Sequence, residues 1–440
     1  MRVSIVIAFI LVFALLFLQL IGKFLDPFYF KIEKPVNNSV KLITSNDLNF
    51  SYSEFGVFKN SNSSVLAVDP NSEFLFAADR LDAKVNKLKL IGGEFAIAEQ
   101  IDLKSNFLNS SVFIYDLEIE NSNLYVSLGV ADGKNCDVYL IISFNLNNFN
   151  QNSTFEKIWT HDKPCLISKS GHPDSNFSGR ILIVNDHIFL TGGLIVTNIS
   201  ENKYPNSNLT NLPMKLQTAI SQNLIFGSVI KIRIFDGKSQ VFTTGHRTPQ
   251  GIAAIKKNNQ VTLFATEHGP RGGDELNILE EGENYGWPFV TYGQQYKPEV
   301  SQNLSNIMTS YGSHNDFKEP IYYWSPSIAI SQLEFLKEDI PNTNWKKNDL
   351  IITCLKCESI LHVKLKDDLT NVISIESIFL GRRIRDIEIL NRTIFLSTDS
   401  GSLISLVPLN SRTEGPFPSP TSNQSFIYKI THLQEFIKSS

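Results

Sequence analysis

The chain has 440 residues, of which 42% are hydrophobic, so it can bury a large core in one large all-β domain or in two or three domains. Only 19% of the residues are charged and the formal net charge is -4. This balance excludes the basic surface that a nucleic-acid-binding protein needs. Frequent aromatic and β-branched residues, including 31 Phe and 13 Tyr, favour strands over helices.

The chain begins with an apolar run, residues 3–22, that reads VSIVIAFILVFALLFLQLIG and contains no charge. Twenty such residues in a helix are long enough to cross a bilayer. Because no small-x-small cleavage site follows the run, we expect an uncleaved signal anchor, with a cleaved signal peptide as the alternative. The sequence therefore predicts an N-terminal hydrophobic helix over 1–22 and an exported protein, periplasmic or extracellular, held at the membrane by this helix.

After this run, residues 23–50 are mixed and polar, which indicates a stalk or an entering strand. From 51 to 410, short alternating or apolar runs follow one another with turn residues between them. This pattern predicts an all-β domain. A β-propeller of four-stranded blades accounts for it best, because radial repetition leaves few exposed strand edges. Residues 411–440 begin with prolines among Ser and Thr and are predicted to form a linker and a C-terminal tail.

The four cysteines fit an exported protein. Cys136 and Cys165 are able to pair if they lie on neighbouring strands. Cys354 and Cys357, in the sequence TCLKC, have the spacing of a redox motif. Residues three apart on a strand point to opposite faces, so we expect two reduced thiols there and no bridge. A four-cysteine zinc site would need a second close pair, which the chain lacks.

Unusual chemistry is concentrated between Thr243 and Tyr296. Two segments there, HRTPQG from His246 and HGPRGG from His268, are separated by an alternating run that predicts a strand over 261–265. Both segments should therefore lie at strand ends. In the second, glycines allow carbonyl oxygens to converge and the following carboxylates add further hard ligands, a pattern typical of calcium sites. A tight connection between strands with solvated acids is the alternative.

Four basic residues lie in turn-like segments that a propeller can bring to one central opening: Arg247, Lys356, Arg383 and Arg385. Arginine pairs with carboxylates through two parallel hydrogen bonds, so such a cluster would suit a polyanionic ligand. Taken singly, each of these residues is also compatible with an ordinary surface charge.

The segments GHRTPQG, EHGPRGGDELN and NYGWP, in this order, resemble the signature of the glucose/sorbosone dehydrogenase family, the soluble aldose sugar dehydrogenases that depend on pyrroloquinoline quinone (PQQ). Further matching segments are NFSGR from Asn176, WSPSIA from Trp324, CLK from Cys354 and RIRD from Arg383. The resemblance covers about residues 176–405. It implies a six-bladed β-propeller, with the quinone over the central channel and hydride transfer from C1 of a sugar to the quinone.

By this resemblance, residues at six positions surround the cofactor: Arg247, Thr248, Trp324, Lys356, Arg383 and Arg385. The main-chain carbonyls of Gly269 and Pro270 are implied to bind a calcium ion that acts as a Lewis acid on the quinone. Asp274, Glu275 and Tyr285 match a region that holds a second, structural calcium. The implied partners are a small sugar and an electron acceptor.

The sequence departs from the family at the implied catalytic base. Asn176 stands where the family has a histidine, and Gly193 stands where the family has the aspartate that orients it. Thr248 replaces an asparagine. Loss of a general base lowers a rate by roughly 10² to 10⁴. His172, on the preceding loop, is a candidate surrogate. The alternative is a catalytically inactive propeller that binds a carbohydrate or a protein.

Overall fold

The computed structural model describes residues 41–44, 48–58, 63–72, 74–91, 94–107, 110–131, 136–167, 177–193, 225–294 and 310–409. The predicted anchor at 1–22, the predicted tail at 411–440, and both Asn176 and His172 lie outside these residues. None of the helices within the described ranges has the length and hydrophobicity of a membrane span.

The described chain consists of strands joined by turns and two short 3-10 helices, Leu103–Asn106 and Leu146–Asn148. The strands are β1 Lys41–Thr44, β2 Asn49–Gly56, β3 Ser64–Val68, β4 Phe74–Asp79, β5 Lys84–Ile91, β6 Glu94–Asp102, β7 Ser111–Glu120, β8 Asn123–Ala131, β9 Cys136–Asn145, β10 Glu156–Ile167, β11 Ser178–Val184, β12 His187–Gly192, β13 Ser228–Arg233 and β14 Ser239–Thr244. They continue with β15 Pro249–Lys257, β16 Gln260–Glu267, β17 Asp274–Leu279, β18 Val290–Thr291, β19 Ser310–Tyr311, β20 Tyr322–Trp324, β21 Ile330–Phe335, β22 Leu350–Cys354, β23 Ser359–Leu365, β24 Val372–Phe379, β25 Ile384–Leu390, β26 Thr393–Thr398 and β27 Ser402–Leu409.

All of these strands except β18 and β19 form six antiparallel blades around one axis, and β18 and β19 pair parallel in a separate two-stranded sheet. Blade 1 is β3-β4-β5-β6, blade 2 is β7-β8-β9-β10, and blade 3 is β11-β12-β13-β14. Blade 4 is β15-β16-β17-β20, blade 5 is β21-β22-β23-β24, and blade 6 is β25-β26-β27-β2-β1. The first strand of each blade contacts the first strands of both neighbouring blades, and β25 contacts β3, so the ring is closed. The predicted six-bladed β-propeller is confirmed.

The two ends of the described chain close the ring. β2 pairs antiparallel with β27 along its whole length, from Asn49 opposite Leu409 to Gly56 opposite Ser402. β1 then pairs with β2 as the outermost strand of blade 6. The residues at 41–44 and 49–50, within the predicted stalk, therefore belong to the propeller, because their backbone groups satisfy a sheet edge. The sequence left a stalk or an entering strand open for 23–50, and at these positions the structure has an entering strand.

Apolar side chains fill the spaces between blades. Trp345 is fully buried, and its ring packs edge-on against Phe50 at 5.4 Å between ring centroids. The alternation along the strands sends one row of side chains toward each neighbouring blade, which explains why short β-branched and aromatic runs predicted the elements correctly. The predicted strand over 261–265 lies inside β16, between the two glycine-containing segments.

Candidate active site

The two segments singled out in the sequence lie at the same end of blade 4. The first connects β14 to β15, and the second connects β16 to β17. Antiparallel neighbours in one blade bring these connections to one face of the propeller, which we call the upper face. The backbone amide of His268 donates to the Thr248 carbonyl at 3.0 Å, which ties the two segments together.

Asp274 connects three parts of the upper face. It is fully buried at the start of β17. Its Oδ2 accepts the backbone amides of Ile328 at 3.0 Å and Ala329 at 2.8 Å. Its Oδ1 accepts the amide of Gly269 at 3.2 Å. One carboxylate thus fixes the HGPRGG loop against the chain that follows Trp324.

The residues after Trp324 also hold the turn between β22 and β23, on which Lys356 lies. The amide of Leu355 donates to the Ala329 carbonyl at 2.8 Å, and the amide of Lys356 donates to the Ile328 carbonyl at 3.0 Å. The side chain of Lys356 is exposed at the top of this turn. Lys356 therefore reaches the same face as the HGPRGG loop through a continuous series of backbone hydrogen bonds.

Cys354 and Cys357 form a disulfide across the Lys356 turn, so the prediction of two reduced thiols is wrong. The prediction assumed that both residues lie on one strand. Cys354 is the last residue of β22, whereas Cys357 lies in the turn to β23, and the turn brings their Cα atoms to 5.6 Å. Both cysteines are buried. The side chain of Cys165 lies outside the described part, so the pairing with Cys136 stays a prediction.

Arg383 and Arg385 share one carboxylate. Arg383 Nε donates to Asp399 Oδ2 at 3.0 Å, and Arg385 Nε donates to Asp399 Oδ1 at 2.9 Å. Arg385 is the more buried of the two, with 14% of its side chain exposed against 51% for Arg383. Its Nη1 also lies 3.4 Å from the side-chain oxygen of Gln250, which belongs to the first segment.

Below Arg385, Arg180 is buried between two aspartates. Its Nη1 lies 2.7 Å from Asp116 and 3.1 Å from Asp386, and all three side chains are 2% exposed. Burial disfavours the charge of Arg180, but the two aspartates outweigh this effect and raise its pKa. Arg180 Nη2 also donates to the Arg385 carbonyl at 3.0 Å. This ion group fixes the strand that carries Arg385.

The sequence analysis missed Arg80, which is buried at the end of β4. Burial, and then the positive charges of Arg385 and Arg180, lower the pKa of Arg80 to about 9. Its Nε donates to the Ile114 carbonyl at 3.1 Å, and its guanidinium lies over the Phe113 ring. The available signal was a cation directly after an apolar strand, since Arg80 follows the last residue of β4.

Arg247 is positioned by its neighbours on blade 4. Its backbone amide donates to Glu267 Oε2 at 2.8 Å, and its Nη1 donates to the His268 carbonyl at 3.0 Å. Its guanidinium lies 5.4 Å from the centre of the Trp287 ring, within cation–π range. Burial lowers the pKa of His268, and the charges of Arg247 and Arg385 lower it further. The predicted cations of blades 4 and 6 therefore act on one site.

The backbone of the HGPRGG loop is tightly folded around Gly269. A Cβ added to Gly269 would lie 2.1 Å from the Gly272 carbonyl oxygen and 2.3 Å from that of Gly273. Carbonyl oxygens therefore converge where the side chain of residue 269 is missing. Such hard oxygens fit calcium. The converging oxygens belong to Gly272 and Gly273, in the same loop as Gly269 and Pro270, whose carbonyls the resemblance implies as calcium ligands.

A second group of oxygens lies deeper in blade 4. Asn277 Nδ2 donates to Glu267 Oε1 at 2.9 Å and to Glu275 Oε2 at 3.2 Å, and all three side chains are buried. The other side-chain atom of Asn277, Oδ1, has no hydrogen-bond partner among the described residues. Burial, and then the charge of Glu267, raise the pKa of Glu275 well above its usual value. A cation beside the two carboxylates would satisfy this group.

Two of the predicted metal residues have other contacts. Asp274 is surrounded by the donors described above, and the Ser327 hydroxyl lies 2.9 and 2.8 Å from its two oxygens. The Tyr285 hydroxyl donates to the Ile278 carbonyl and accepts the Glu280 amide. Within the described ranges, no three His, Cys, Asp or Glu side chains gather as a metal-ligand group. A calcium ion at the HGPRGG loop would therefore depend on carbonyl oxygens, whereas one beside Asn277 would also use the carboxylates of Glu267 and Glu275.

Three half-buried carboxylates lie on the inner strands of blades 2, 5 and 6: Glu118 of β7, Glu334 of β21 and Glu388 of β25. Burial raises the pKa of each of them; the charges of Asp116 and then Glu334 add to the effect on Glu118, and those of Glu118 and Glu334 add to the effect on Glu388. Lys337 lies 3.4 Å from Glu334. The channel is thus basic at its upper face and acidic at this level.

The fold and this site define a six-bladed propeller whose upper face joins buried arginines to a carbonyl-rich loop. The family model of glucose/sorbosone dehydrogenases matches residues 115–405. The chain therefore belongs to the glucose/sorbosone dehydrogenase family.

Similar proteins with curated names cover only part of the chain. The aldose sugar dehydrogenase YliI of Escherichia coli K12 is 29% identical over 241 residues, which are 54% of this chain and 61% of that protein. Quinoprotein glucose dehydrogenase B of Acinetobacter calcoaceticus is 44% identical over 52 residues, 12% of this chain and 10% of that protein. The match thus spans about three fifths of the first relative and a tenth of the second.

Solved structures agree in fold. The soluble aldose sugar dehydrogenase of Escherichia coli, in its apo form, superposes with a TM-score of 0.59 at 19% identity, over 82% of this chain and 100% of that one. The PQQ-bound aldose sugar dehydrogenase of Streptomyces coelicolor gives a TM-score of 0.55 at 17% identity, over 85% and 99%. At these identities the likeness establishes the shared fold.

Proposed function

We propose that this chain binds PQQ and calcium at its upper face and oxidises aldose sugars, with a turnover limited by the absence of the family's catalytic histidine. The observation that carries the proposal is the charge at the site. Burial and the neighbouring charge of Arg180 lower the pKa of Arg385, despite the opposing charge of Asp399. Arg383 and Arg385 also share the single carboxylate of Asp399, so this pair carries more positive charge than its partner neutralises, which fits an anionic ligand.

Each predicted position then has a defined task. Together, Arg247, Lys356, Arg383 and Arg385 would hold the carboxylates and the quinone oxygens of the cofactor. Trp324 lies at its edge. The carbonyls of the HGPRGG loop hold calcium, and the group formed by Glu267, Glu275 and Asn277 holds the structural ion. When bound, PQQ supplies the acceptor for the hydride that leaves C1 of the sugar.

Removal of the sugar's hydroxyl proton is the weak point. Asn176 has no titratable nitrogen, and Gly193 has no side chain with which to orient a base. The Gly193 amide donates to the Phe177 carbonyl at 2.6 Å, so the backbone at this strand end is held although the family's acid is missing. We infer a slow reaction, with His172 as a surrogate base or with water in that role.

Reconstitution of the chain with PQQ and CaCl₂ tests the proposal. We expect saturable cofactor binding, measured by absorbance, and slow dye reduction with at least one of a panel of aldoses. Asn176→His should raise that rate, and Asn176→Gln is the matched control that should not. Failure to bind PQQ in the presence of calcium would overturn the proposed activity.

The absence of an acid at Gly193 supports one alternative function. In that alternative the chain is a propeller of the same family that binds a carbohydrate or protein without oxidising it. The discriminating result is PQQ binding without dye reduction in both the parent and Asn176→His. In that case the upper face would retain its ligand chemistry while the reaction is lost.

We also propose that the chain is exported and anchored by residues 3–22. The disulfide between Cys354 and Cys357 supports an oxidising compartment. Fractionation of cells expressing the full chain and a variant lacking residues 1–22 tests this location. We expect the full chain in the membrane fraction and accessible to protease only from the exported side. Recovery of the full chain in the cytosol would contradict the anchor.

A further inference from the structure

A cleft of about 740 Å³ opens between blades 4 and 5, directly beside the proposed cofactor site. Trp324 and Lys356 of the proposed cofactor site line this cleft, and Tyr292, Tyr322 and Tyr323 are among its other lining residues. The volume falls within the range of about 300 to 1,000 Å³ that is usual for small-molecule sites. The cleft is also much larger than one hexose needs.

The tyrosines of this cleft form an exposed aromatic surface. Tyr323 stacks face to face on Tyr292, with ring centroids 3.9 Å apart and planes 7° apart. Tyr322 lies edge-on to Trp324 at 4.7 Å. Tyr322 is 38% exposed and Tyr323 is 45% exposed. Large aromatic rings grouped in this way at a surface usually indicate a binding site.

The surface is held rigidly before any ligand arrives. The Tyr292 hydroxyl donates to Glu319 at 2.7 Å, and the His314 ring packs against Tyr292 at 5.0 Å. Glu319 also accepts the backbone amide of His314 at 2.7 Å. Tyr323 is fixed in turn, because its strand pairs with β17 opposite Glu275. A rigid aromatic surface loses little conformational entropy when it binds a ligand.

The chemistry of the lining residues selects the ligand. Flat aromatic faces with hydroxyl groups at their rims complement the C–H face and the peripheral hydroxyls of a pyranose ring. Lys356 is the one cation among the described lining residues, so a polyanion would find too few partners. A purely apolar ligand would leave the hydroxyls of Tyr322 and Tyr323 without partners in the cleft.

We propose that this cleft binds the neutral sugar rings of an oligosaccharide, whose reducing end lies toward Trp324 and Lys356. The proposal rests on the function proposed above, since it places the end to be oxidised at the cofactor site. The preferred substrate is then an oligosaccharide with a free reducing end, and a monosaccharide occupies only part of the site.

Binding of neutral trisaccharides to the full chain, without PQQ, tests the proposal. Maltotriose, cellotriose and mannotriose are titrated by calorimetry, with glucose as the comparison. We expect at least one trisaccharide to bind at least ten-fold more tightly than glucose. Tyr323→Ala should weaken that binding at least ten-fold, whereas Tyr323→Phe, which keeps the stacked ring, should retain most of it.

Phe379→Ala is the matched control, because Phe379 is 51% exposed on blade 5 and does not line the cleft. Circular dichroism establishes that each variant is folded. Absence of binding for all three trisaccharides, or unchanged binding in folded Tyr323→Ala, overturns the proposal. Since the titration omits PQQ, trisaccharide binding in a chain that fails to bind PQQ would refute the proposed oxidation and leave the sugar site standing.

Discussion

The hydroxyl of Ser327 lies within hydrogen-bond distance of both carboxylate oxygens of Asp274, at 2.9 and 2.8 Å. Asp274 begins β17 of blade 4, whereas Ser327 lies 53 positions further along the chain, in the connection from blade 4 to blade 5. Backbone amides around Ser327 complete the contacts of the same carboxylate. Asp274 is therefore a positioning residue that aligns the HGPRGG loop with the chain leading to Lys356.

Asp274→Asn should lower the free energy of unfolding by about 3 kcal/mol, because an amide replaces one acceptor oxygen and leaves buried donors unpaired. Ser327→Ala, which removes one donor only, should lower it by about 1 kcal/mol. Denaturant unfolding measures both variants. Equal losses in the two would show that Asp274 does not organise the segment.

Gly269→Ala should weaken calcium binding at least ten-fold. The new Cβ would lie 2.1 Å from the Gly272 carbonyl oxygen, so the loop must move the oxygens that converge there. Calorimetric titration with Ca²⁺ provides the measurement. Gly56→Ala is the control, because nothing lies within 4 Å of the added Cβ at that position. Unchanged calcium affinity in Gly269→Ala would place the ion elsewhere.

Replacing both Cys354 and Cys357 by serine should lower the free energy of unfolding by about 2 kcal/mol, since the disulfide closes a loop of only four residues. Faster amide exchange should appear at Leu355 and Lys356, and PQQ binding should weaken. The parent protein is compared under non-reducing conditions, so that the remaining cysteines are in the same state. Identical exchange in the two proteins would mean that the backbone hydrogen bonds to Ile328 and Ala329 hold the turn alone.

Glu388→Gln should stabilise the protein, and more so as the pH rises. Burial, then the charges of Glu118 and Glu334, raise the pKa of Glu388 in the folded chain. Above about pH 4.5 the unfolded chain loses this proton first, so the parent's stability falls with rising pH until the folded-state pKa is passed. We expect a gain of about 1 kcal/mol at pH 7 and little gain at pH 4.

Thermal or denaturant unfolding at several pH values measures this effect. Glu283→Gln, at an exposed position, should show no such pH dependence. A loss of stability in Glu388→Gln at pH 7 would indicate that the ionised carboxylate has a favourable partner in the channel.

The site could be predicted only in part, because some of its residues belong to recognisable motifs whereas others become neighbours only when the blades pack together. From the motifs and their order, Arg247, Arg383 and Arg385 were predicted to contact one ligand. The structure joins Arg383 and Arg385 through Asp399. Gln250 links Arg385 to the first segment, which contains Arg247. Arg80 could not be assigned, since its relation to Arg385 arises only when blade 1 and blade 6 become neighbours. The catalytic candidates at 172 and 176 lie outside the described residues, so their roles stay predictions.

The sequence by itself determined the strands, the family and the position of the chemistry at strand ends. These features are local: residue alternation with a period of two specifies a strand, and glycines specify where the backbone can turn. Only the tertiary structure decided three features. They are the Cys354–Cys357 bridge, the hydrogen bonds by which Asp274 joins the HGPRGG loop to the chain after Trp324, and the electrostatic interaction among Glu118, Glu334 and Glu388. Each depends on how turns and blades place residues in space, and the closing contact between β2 and β27 fixes that placement for the whole ring.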